Sequence, residues 1–325
     1  MNHLAPKIAV SRSKEPLGFA ITQTLAKRGF QITSEDEFSP QQEAFTSGCA
    51  GAIYLNPLSG RLSGLPPSRA ELVTELRTFL NFAKANNVMR IVYVSSLQTL
   101  GTTEEDGEEK EEGENQYYLP GTGARRREVL AALENELYRY ISMGMDIVIL
   151  NVGFVLGPSI DRAGFENLIS VLLGAIPLVV PNRQVDLVDP QVAAEAIFRA
   201  LQSGRSGRRY GLPGAGISTK ELIQILEEDW GKDDLSYRII EEELSGLLQT
   251  SLDGFNSRFL RWDRPKWLRG QQVLYQFLDE AMHIETVGPR AEAELGYSPR
   301  TAQGILRRYL QWLKNMGYLQ ARSLR

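Results

Sequence analysis

The stretch IAVSRSKEPLGFAITQTLAKRG, Ile8 to Gly29, decides the fold of this chain. It opens with a short apolar run, passes through a polar turn from Ser11 to Gly18, and continues as an amphipathic pattern that predicts a helix over 17–28. A strand, a turn and a helix in this order predict the first unit of a sheet whose strands are joined by helical crossovers.

The same alternation continues through the first half of the chain. Short runs rich in Ile and Val are separated by helical patterns at about 67–86, with Ser68 as the predicted N-cap, and at about 122–142. Runs of this kind indicate strands that are buried on both faces, and hence a parallel sheet. The predicted fold class is therefore α/β, a Rossmann-like doubly wound parallel sheet.

The pattern changes after residue 157, which predicts a division into two domains. Residues 1–157 and 181–214 are predicted to form the Rossmann-like domain, and residues 158–180 and 215–325 a smaller, mostly helical C-terminal substrate domain. The acidic segment 102–116 predicts a solvated loop, and the alternative is a lid over a cleft.

Composition excludes several classes of function. The chain has 325 residues and a net charge of −4, so neither nucleic acid nor a membrane is an expected partner. Cys49 is the only cysteine and there are two histidines, which excludes an internal disulfide and argues against a metal cluster. No secretory leader precedes the first strand, and the expected location is cytoplasmic.

Four later segments share a resemblance. They are RIVYVSSLQTLG, GMDIVILNVGFVLGP, LVDPQVAAEAI and AEAELGYSPRTAQGILRRYLQWL. In this order and spacing they resemble the extended (atypical) short-chain dehydrogenase/reductase superfamily, of the NAD-dependent epimerase/dehydratase type. The resemblance covers nearly the whole chain apart from 240–285, and it implies a catalytic serine at Ser96, five residues before Gly101.

The resemblance also implies a cofactor turn, and this turn has lost most of its glycines. The family pattern places Arg12 and Glu15 where the first two glycines would stand, and only Gly18 remains. The first two glycines let the backbone approach a pyrophosphate, whereas the third lets helix and strand pack closely. We therefore interpret Arg12, Lys14, Gly18 and Asp36 as a vestigial cofactor site, in which Asp36 would have met a ribose hydroxyl.

The catalytic Tyr-x-x-x-Lys of the family is absent from this sequence. The usual spacing places Arg126 at the tyrosine position and Leu130 at the lysine position, and the nearest tyrosines, Tyr117 and Tyr118, come about two helical turns earlier. In the family the tyrosine transfers a proton and the lysine lowers its pKa. We therefore predict a degenerate site with Ser96, Tyr118 and Arg126 as candidate catalytic residues.

The expected ligand pocket adds four further residues at the ends of the predicted strands and in the following loop: Thr99, Tyr117, Asn151 and Phe154. The arginines 125–127 open a helix and form either an anion site or, as the favoured interpretation, salt bridges with the acidic residues 104–114. Aromatic residues Phe255, Trp262 and Trp267 are candidates for a pocket or for the core.

Three functions follow from these observations. The first is a protein without a nicotinamide cofactor that binds a small metabolite or acts on it by non-redox chemistry, as a lyase, isomerase or cyclase. The runner-up is an NAD- or NADP-dependent oxidoreductase or epimerase with unusual motifs. The third is a non-catalytic protein that forms a homo-oligomer or pairs with a homologous enzyme. Fold alone does not decide among them.

Overall fold

The structure is a computed structural model of the whole chain. It describes residues 5–35, 45–58, 68–100, 122–160, 169, 178–230, 235–241, 266–283 and 289–317. The acidic segment 102–116 and the aromatic residues Phe255 and Trp262 lie outside these ranges.

A parallel sheet forms the centre of the described structure. Its six strands are β1 (Lys7–Ser11), β2 (Gln31–Glu35), β3 (Gly51–Leu55), β4 (Arg90–Ser96), β5 (Ile147–Val152) and β8 (Arg209–Leu212). Their order across the sheet is β2-β1-β3-β4-β5-β8, and every neighbouring pair is parallel. The predicted α/β, doubly wound parallel sheet is confirmed.

Eight helices surround this sheet and the C-terminal elements within the described residues. They are α1 (Pro16–Lys27), α2 (Arg69–Ala85), α3 (Thr122–Ser142), α4 (Pro190–Ser203), α5 (Thr219–Trp230), α6 (Lys266–Glu280), α7 (Pro289–Leu295) and α8 (Ala302–Asn315). Ser68 caps α2 as predicted, since its hydroxyl accepts the Glu71 N–H at 3.2 Å while the Glu71 carboxylate accepts the Ser68 N–H at 2.7 Å. This reciprocal pair is a capping box.

The sheet is buried on both faces, which explains why its strands are apolar along their length. One face packs on α1, α4 and α7, and the other packs on α2 and α3. All five residues of β3 and all six of β5 are buried. Such strands bring hydrophobic side chains to two separate cores, one on each side of the sheet.

A third core lies in the C-terminal half. Strand β6 (Leu178–Asn182) pairs in parallel with β10 (Tyr237–Glu241), and β7 (Gln184–Leu187) pairs antiparallel with β9 (Ala215–Ser218). These strands share a hydrophobic cluster with α5, α6 and α8. Strand β7 thus joins the C-terminal elements and not the central sheet, while the division of the chain into two domains stays a prediction.

The described helices contain no segment that is both long and apolar enough to cross a membrane.

Candidate functional site

The order of the strands reverses between β1 and β3, and in open α/β sheets this switch point is where the ligand crevice lies. Arg12 follows β1 directly and adopts a left-handed backbone conformation, with φ at 51°. That conformation is natural for glycine and uncommon for arginine. The backbone at Arg12 therefore has a conformation that a glycine would adopt without strain.

The side chain of Arg12 crosses this crevice. Its Nη2 lies 3.3 Å from Oε1 of Glu75 on α2, and its Nη1 lies 3.8 Å from the carboxylate of Glu15. Arg12 is only 8% exposed. Because β1 precedes Arg12 and β3 leads to α2, the Arg12–Glu75 ion pair joins the two sides of the switch point. We refer to these residues, together with Tyr54, as the crevice cluster.

Tyr54, on β3, is the fourth residue of the crevice cluster and contacts Glu75. Its hydroxyl donates to Oε1 of Glu75 at 2.9 Å, and its ring stacks on that of Tyr93 at 5.7 Å between centroids. Burial, reinforced by the charge of Glu75, raises the pKa of Tyr54 well above its usual value. Tyr54 therefore stays a neutral donor, and it donates to the same oxygen of Glu75 that pairs with Arg12.

Two other predicted cofactor residues are described. A Cβ on Gly18 would lie 2.0 Å from the carbonyl oxygen of Arg12, so α1 approaches the turn as closely as expected for a packing glycine. The carbonyl of Lys14 accepts the N–H of Ile160 at 2.9 Å, which ties the turn after β1 to the loop after β5. Asp36 lies outside the described residues.

Ser96, Thr99 and Asn151 come together at the carboxyl edge of β4 and β5, as the sequence predicts. Oγ1 of Thr99 accepts from Nδ2 of Asn151 at 2.7 Å and lies 2.9 Å from the Ser96 carbonyl oxygen, and the same Nδ2 lies 3.2 Å from that carbonyl oxygen. The Ser96 hydroxyl accepts the Gln98 N–H at 3.3 Å and caps a short 3₁₀ turn, Leu97–Thr99. This contact is the local structural role of a serine that ends a strand.

Sequence analysis missed the carboxylate on which this edge is built. Oε1 of Glu134, on α3, accepts hydrogen bonds from Ser95 at 2.5 Å, Thr99 at 2.6 Å and Asn151 at 2.9 Å. Oε2 of Glu134 pairs with the Arg209 guanidinium. Glu134 is fully buried, and we call these five residues the buried edge network.

A signal for Glu134 was present in the pattern of α3. Leu130, Leu133 and Leu137 are buried on one side of this helix, and Glu134 stands at i+4 from Leu130 on the same apolar stripe. A carboxylate on such a stripe needs a buried partner. Its partner Arg209 is 75 residues away in the chain, which a single sequence does not reveal.

Two buried acceptors at this edge have no hydrogen-bond partner among the described residues. They are Oδ1 of Asn151 and Oε1 of Gln98, whose amide nitrogen donates to the carbonyl of Asp279 at 2.7 Å. A buried acceptor without a donor costs free energy. Oδ1 of Asn151 and Oε1 of Gln98 are therefore unsatisfied polar atoms buried at this edge.

Within the described residues, Arg126 and Arg127 pair with carboxylates of α6. Nη1 of Arg126 lies 2.6 Å from Oε1 of Glu280, and Nη1 of Arg127 lies 3.8 Å from Oδ1 of Asp279. The favoured interpretation, salt bridges with residues 104–114, concerns residues outside the described ranges and stays a prediction. Burial raises the pKa of both carboxyls, and the nearby arginines oppose that shift.

Of the remaining predicted site residues, the two that the structure describes, Leu130 and Phe154, belong to hydrophobic cores. Leu130, at the lysine position, is fully buried in the core between the sheet and helices α2 and α3. Phe154 packs edge to face on Phe277 in the C-terminal core, with 5.2 Å between ring centroids. Tyr117 and Tyr118 lie outside the described residues. The catalytic and binding roles of all these residues stay predictions.

No protein-family model matches the chain. Two curated proteins, probable transaldolases of a Geobacter species and of Citrifermentans bemidjiense, are each 33% identical to it over 76 residues. This match spans 23% of the chain and only 35% of each of those proteins, about a third of their length. This partial match therefore does not assign the activity of those proteins to this chain.

Solved structures match over almost the whole chain. A nucleoside-diphosphate-sugar epimerase from Pseudomonas aeruginosa has a TM-score of 0.70 and 18% identity, covering 97% of this chain and 99% of that one. A dTDP-glucose 4,6-dehydratase from Bacillus anthracis in complex with NAD has a TM-score of 0.65 and 12% identity, with 97% and 98% covered. A UDP-glucuronic acid 4-epimerase from Bacillus cereus in complex with NAD has a TM-score of 0.64 and 15% identity, with 95% and 99% covered.

At these identities the likeness concerns the fold. It agrees with the strand order, the parallel sheet and the C-terminal elements described above. The chain has the fold of the extended short-chain dehydrogenases/reductases of the NAD-dependent epimerase/dehydratase type, as the sequence predicts.

Proposed function

We propose that this protein uses the extended short-chain dehydrogenase/reductase fold without a nicotinamide cofactor. In this proposal it binds a small metabolite at the carboxyl edge of β4 and β5 and converts it by isomerisation, elimination or cyclisation. The observation that carries the proposal is the Arg12–Glu75 ion pair, which lies across the switch point where this class of sheet binds its ligand.

The negative charges near the start of α1 support the proposal that no dinucleotide binds there. The carboxylates of Glu15 and Glu75 stand beside the start of α1, where the amide groups of a working site meet a pyrophosphate. An incoming diphosphate would have to separate Arg12 from both carboxylates and then stay near them. Leu130 adds no ribose ligand, because its side chain is part of the core.

Non-redox chemistry fits the groups that remain. Isomerisation, elimination and ring closure transfer protons but no net hydride, so they need no nicotinamide. Ser96 is half-buried at the edge, and the orphan acceptors of Asn151 and Gln98 suit a ligand with hydroxyl or amine groups. Arg126 would stabilise a developing oxyanion after exchanging its contact with Glu280, with Tyr118 as proton donor.

Two alternatives each have one observation in their favour. The NAD-bound dehydratase and epimerase structures share the fold and favour an NAD- or NADP-dependent activity. The contacts of Arg126, Arg127 and Gln98 with α6 draw the two sides of the cleft together, which favours a non-catalytic partner protein.

The test begins with the metabolite that accumulates when the protein is absent from its own cell. Purified protein should convert it without added nucleotide, and Ser96→Ala and Arg126→Ala should each slow conversion by about 100-fold. Arg139→Ala is the matched control on α3, because Arg139 is exposed and pairs only with Glu136 among described carboxylates.

Each other outcome selects an alternative. A requirement for NAD(P)H would favour the oxidoreductase. Conversion that is unchanged in both Ser96→Ala and Arg126→Ala would remove the site, and a partner-protein role would then replace the proposal.

A further inference from the structure

A cavity of about 420 Å³ lies outside the edge described above. Its walls come from the first half of α1, the loop after β5, the start of α4 and one side of α8. The volume is in the range of sites that hold small organic molecules. None of the residues in the crevice cluster or in the buried edge network lines it.

Aromatic side chains form much of the wall. Phe19 is half-buried on α1, while Tyr309 and Trp312 on α8 stack with 5.7 Å between ring centroids and 27° between planes. Leu156, from the loop after β5, closes the apolar side. Walls of this kind favour a flat, apolar ligand body, since aromatic pairs prefer offset or edge-on contact with another ring.

The charged side of the cavity is formed by Asp189 and its partners. Oδ1 of Asp189 caps α4, accepting the N–H groups of Gln191 at 2.8 Å and Val192 at 3.2 Å. Oδ2 of the same carboxylate meets Arg300 at 3.1 Å and Arg308 at 2.5 Å. The single negative charge of Asp189 thus faces two guanidinium groups and a helix N-terminus, so the local net charge is positive.

Arg308 brings that surplus charge to the cavity. Its side chain is about half exposed, at 51%, and it lines the cavity together with Asp189. Amide groups also line the cavity, since Nε2 of Gln191 on α4 lies 3.5 Å from Oε1 of Gln23 on α1. A ligand carboxylate in this cavity would have both the Arg308 cation and amide donors available to it.

We propose that this cavity is a second binding site, and that it takes a small aromatic carboxylate. The ring lies against Phe19, Tyr309 and Trp312, and the carboxylate faces Arg308. The site does not depend on the function proposed above, because its lining residues and its test are separate from Ser96 and Arg126.

The test uses 1-naphthoate as the anionic probe and 1-naphthamide as its neutral counterpart. Calorimetry and ligand-observed NMR on the full chain should show saturable binding of the acid, with the amide bound at least about fivefold more weakly. Arg308→Gln should weaken binding of the acid by about tenfold, and Arg308→Lys should recover part of the loss.

Matched controls are available on the same helices. Arg307→Gln should leave the acid's affinity unchanged, because Arg307 is the next residue on α8 and pairs with the exposed Glu228 at 2.6 Å. Gln23→Trp should abolish binding by filling the cavity, and it leaves the charges in place.

Three results would overturn the proposal. The first is no saturable binding of 1-naphthoate by the parent up to about 5 mM, which corresponds to less than about 3 kcal/mol of binding free energy. The second is equal affinity for the acid and the amide. The third is unchanged affinity in Gln23→Trp, which would locate the probe elsewhere.

Discussion

The crevice cluster and the buried edge network stand at the same edge of the sheet, yet they are built differently. In the crevice cluster one arginine with positive φ bridges carboxylates that remain partly exposed, with 14% and 21% exposure for Glu15 and Glu75. In the edge network a fully buried carboxylate satisfies three neutral donors and one arginine. The first arrangement places an ion pair across the switch point, and the second joins two strands and a helix through one buried carboxylate.

Because the two clusters are built differently, we expect substitutions in them to have different effects. A substitution in the crevice cluster alters what the crevice admits and leaves the backbone path intact. A substitution in the edge network leaves charges or donors buried without partners, which costs several times as much. The difference in the free energy of unfolding between substitutions in the two clusters therefore tests this contrast.

The largest expected effect comes from Glu134. Glu134→Gln should lower the free energy of unfolding by about 3–5 kcal/mol, because the Arg209 charge is then buried without its partner. Glu136→Gln is the control two residues along α3, since Glu136 pairs with the more exposed Arg77 and Arg139, and it should cost at most about 1 kcal/mol. Urea unfolding of both variants measures the difference, and equal losses would contradict the contrast.

A smaller effect is expected where α1 meets the crevice. Gly18→Ala should cost about 1–3 kcal/mol, because the added methyl would lie 2.0 Å from the Arg12 carbonyl oxygen. Intrinsic helix propensity alone predicts the reverse, a gain of up to about 1 kcal/mol. A stabilised Gly18→Ala variant in thermal unfolding would show that α1 does not approach the turn closely.

The smallest expected effect is a pH dependence at the contact between α3 and α6. Burial raises the pKa of Glu280, so the folded protein takes up this proton at a higher pH than the unfolded chain does. The contribution of Glu280 to stability therefore increases as the pH falls from neutral toward the ordinary carboxyl range, and it is lost as the pH rises through the raised pKa.

Comparison with Glu280→Gln isolates this contribution. As the pH falls from neutral toward the ordinary carboxyl range, the parent should gain unfolding free energy relative to the variant. Glu71 is the opposite case, because hydrogen bonds with Ser68 lower its pKa, and the parent should lose stability relative to Glu71→Gln as the pH falls through that lowered pKa. A parent–variant difference for Glu280 that does not change with pH would contradict the expectation.

Local features of the fold were predictable because neighbouring residues determine them. The bounds of α3, the Ser68 cap, and the apolar strands β3 to β5 follow from periodicity and capping chemistry within a few residues. The proximity of Ser96, Thr99 and Asn151 was also predictable, since parallel strands end at one edge.

Contacts between distant residues were not predictable from one sequence. Glu75 is 63 residues from Arg12, and nothing local to either residue indicates the other. Strand alternation also decides that Ser95, and not its neighbour Ser96, points into the edge network. The partners of Arg126 and Arg127 lie on α6, in a region where the sequence showed no clear order.

The central claim is that the crevice cluster excludes a nicotinamide dinucleotide. Calorimetric titration of the parent and of the double variant Arg12→Gly/Glu15→Gly with NAD, NADH, NADP and NADPH tests it most directly. We predict that the parent binds each nucleotide with a Kd above about 1 mM, and that the double variant, whose turn keeps the positive φ that glycine accepts, binds at least one about tenfold more tightly. A low-micromolar Kd for the parent, about −8 kcal/mol, would contradict the claim.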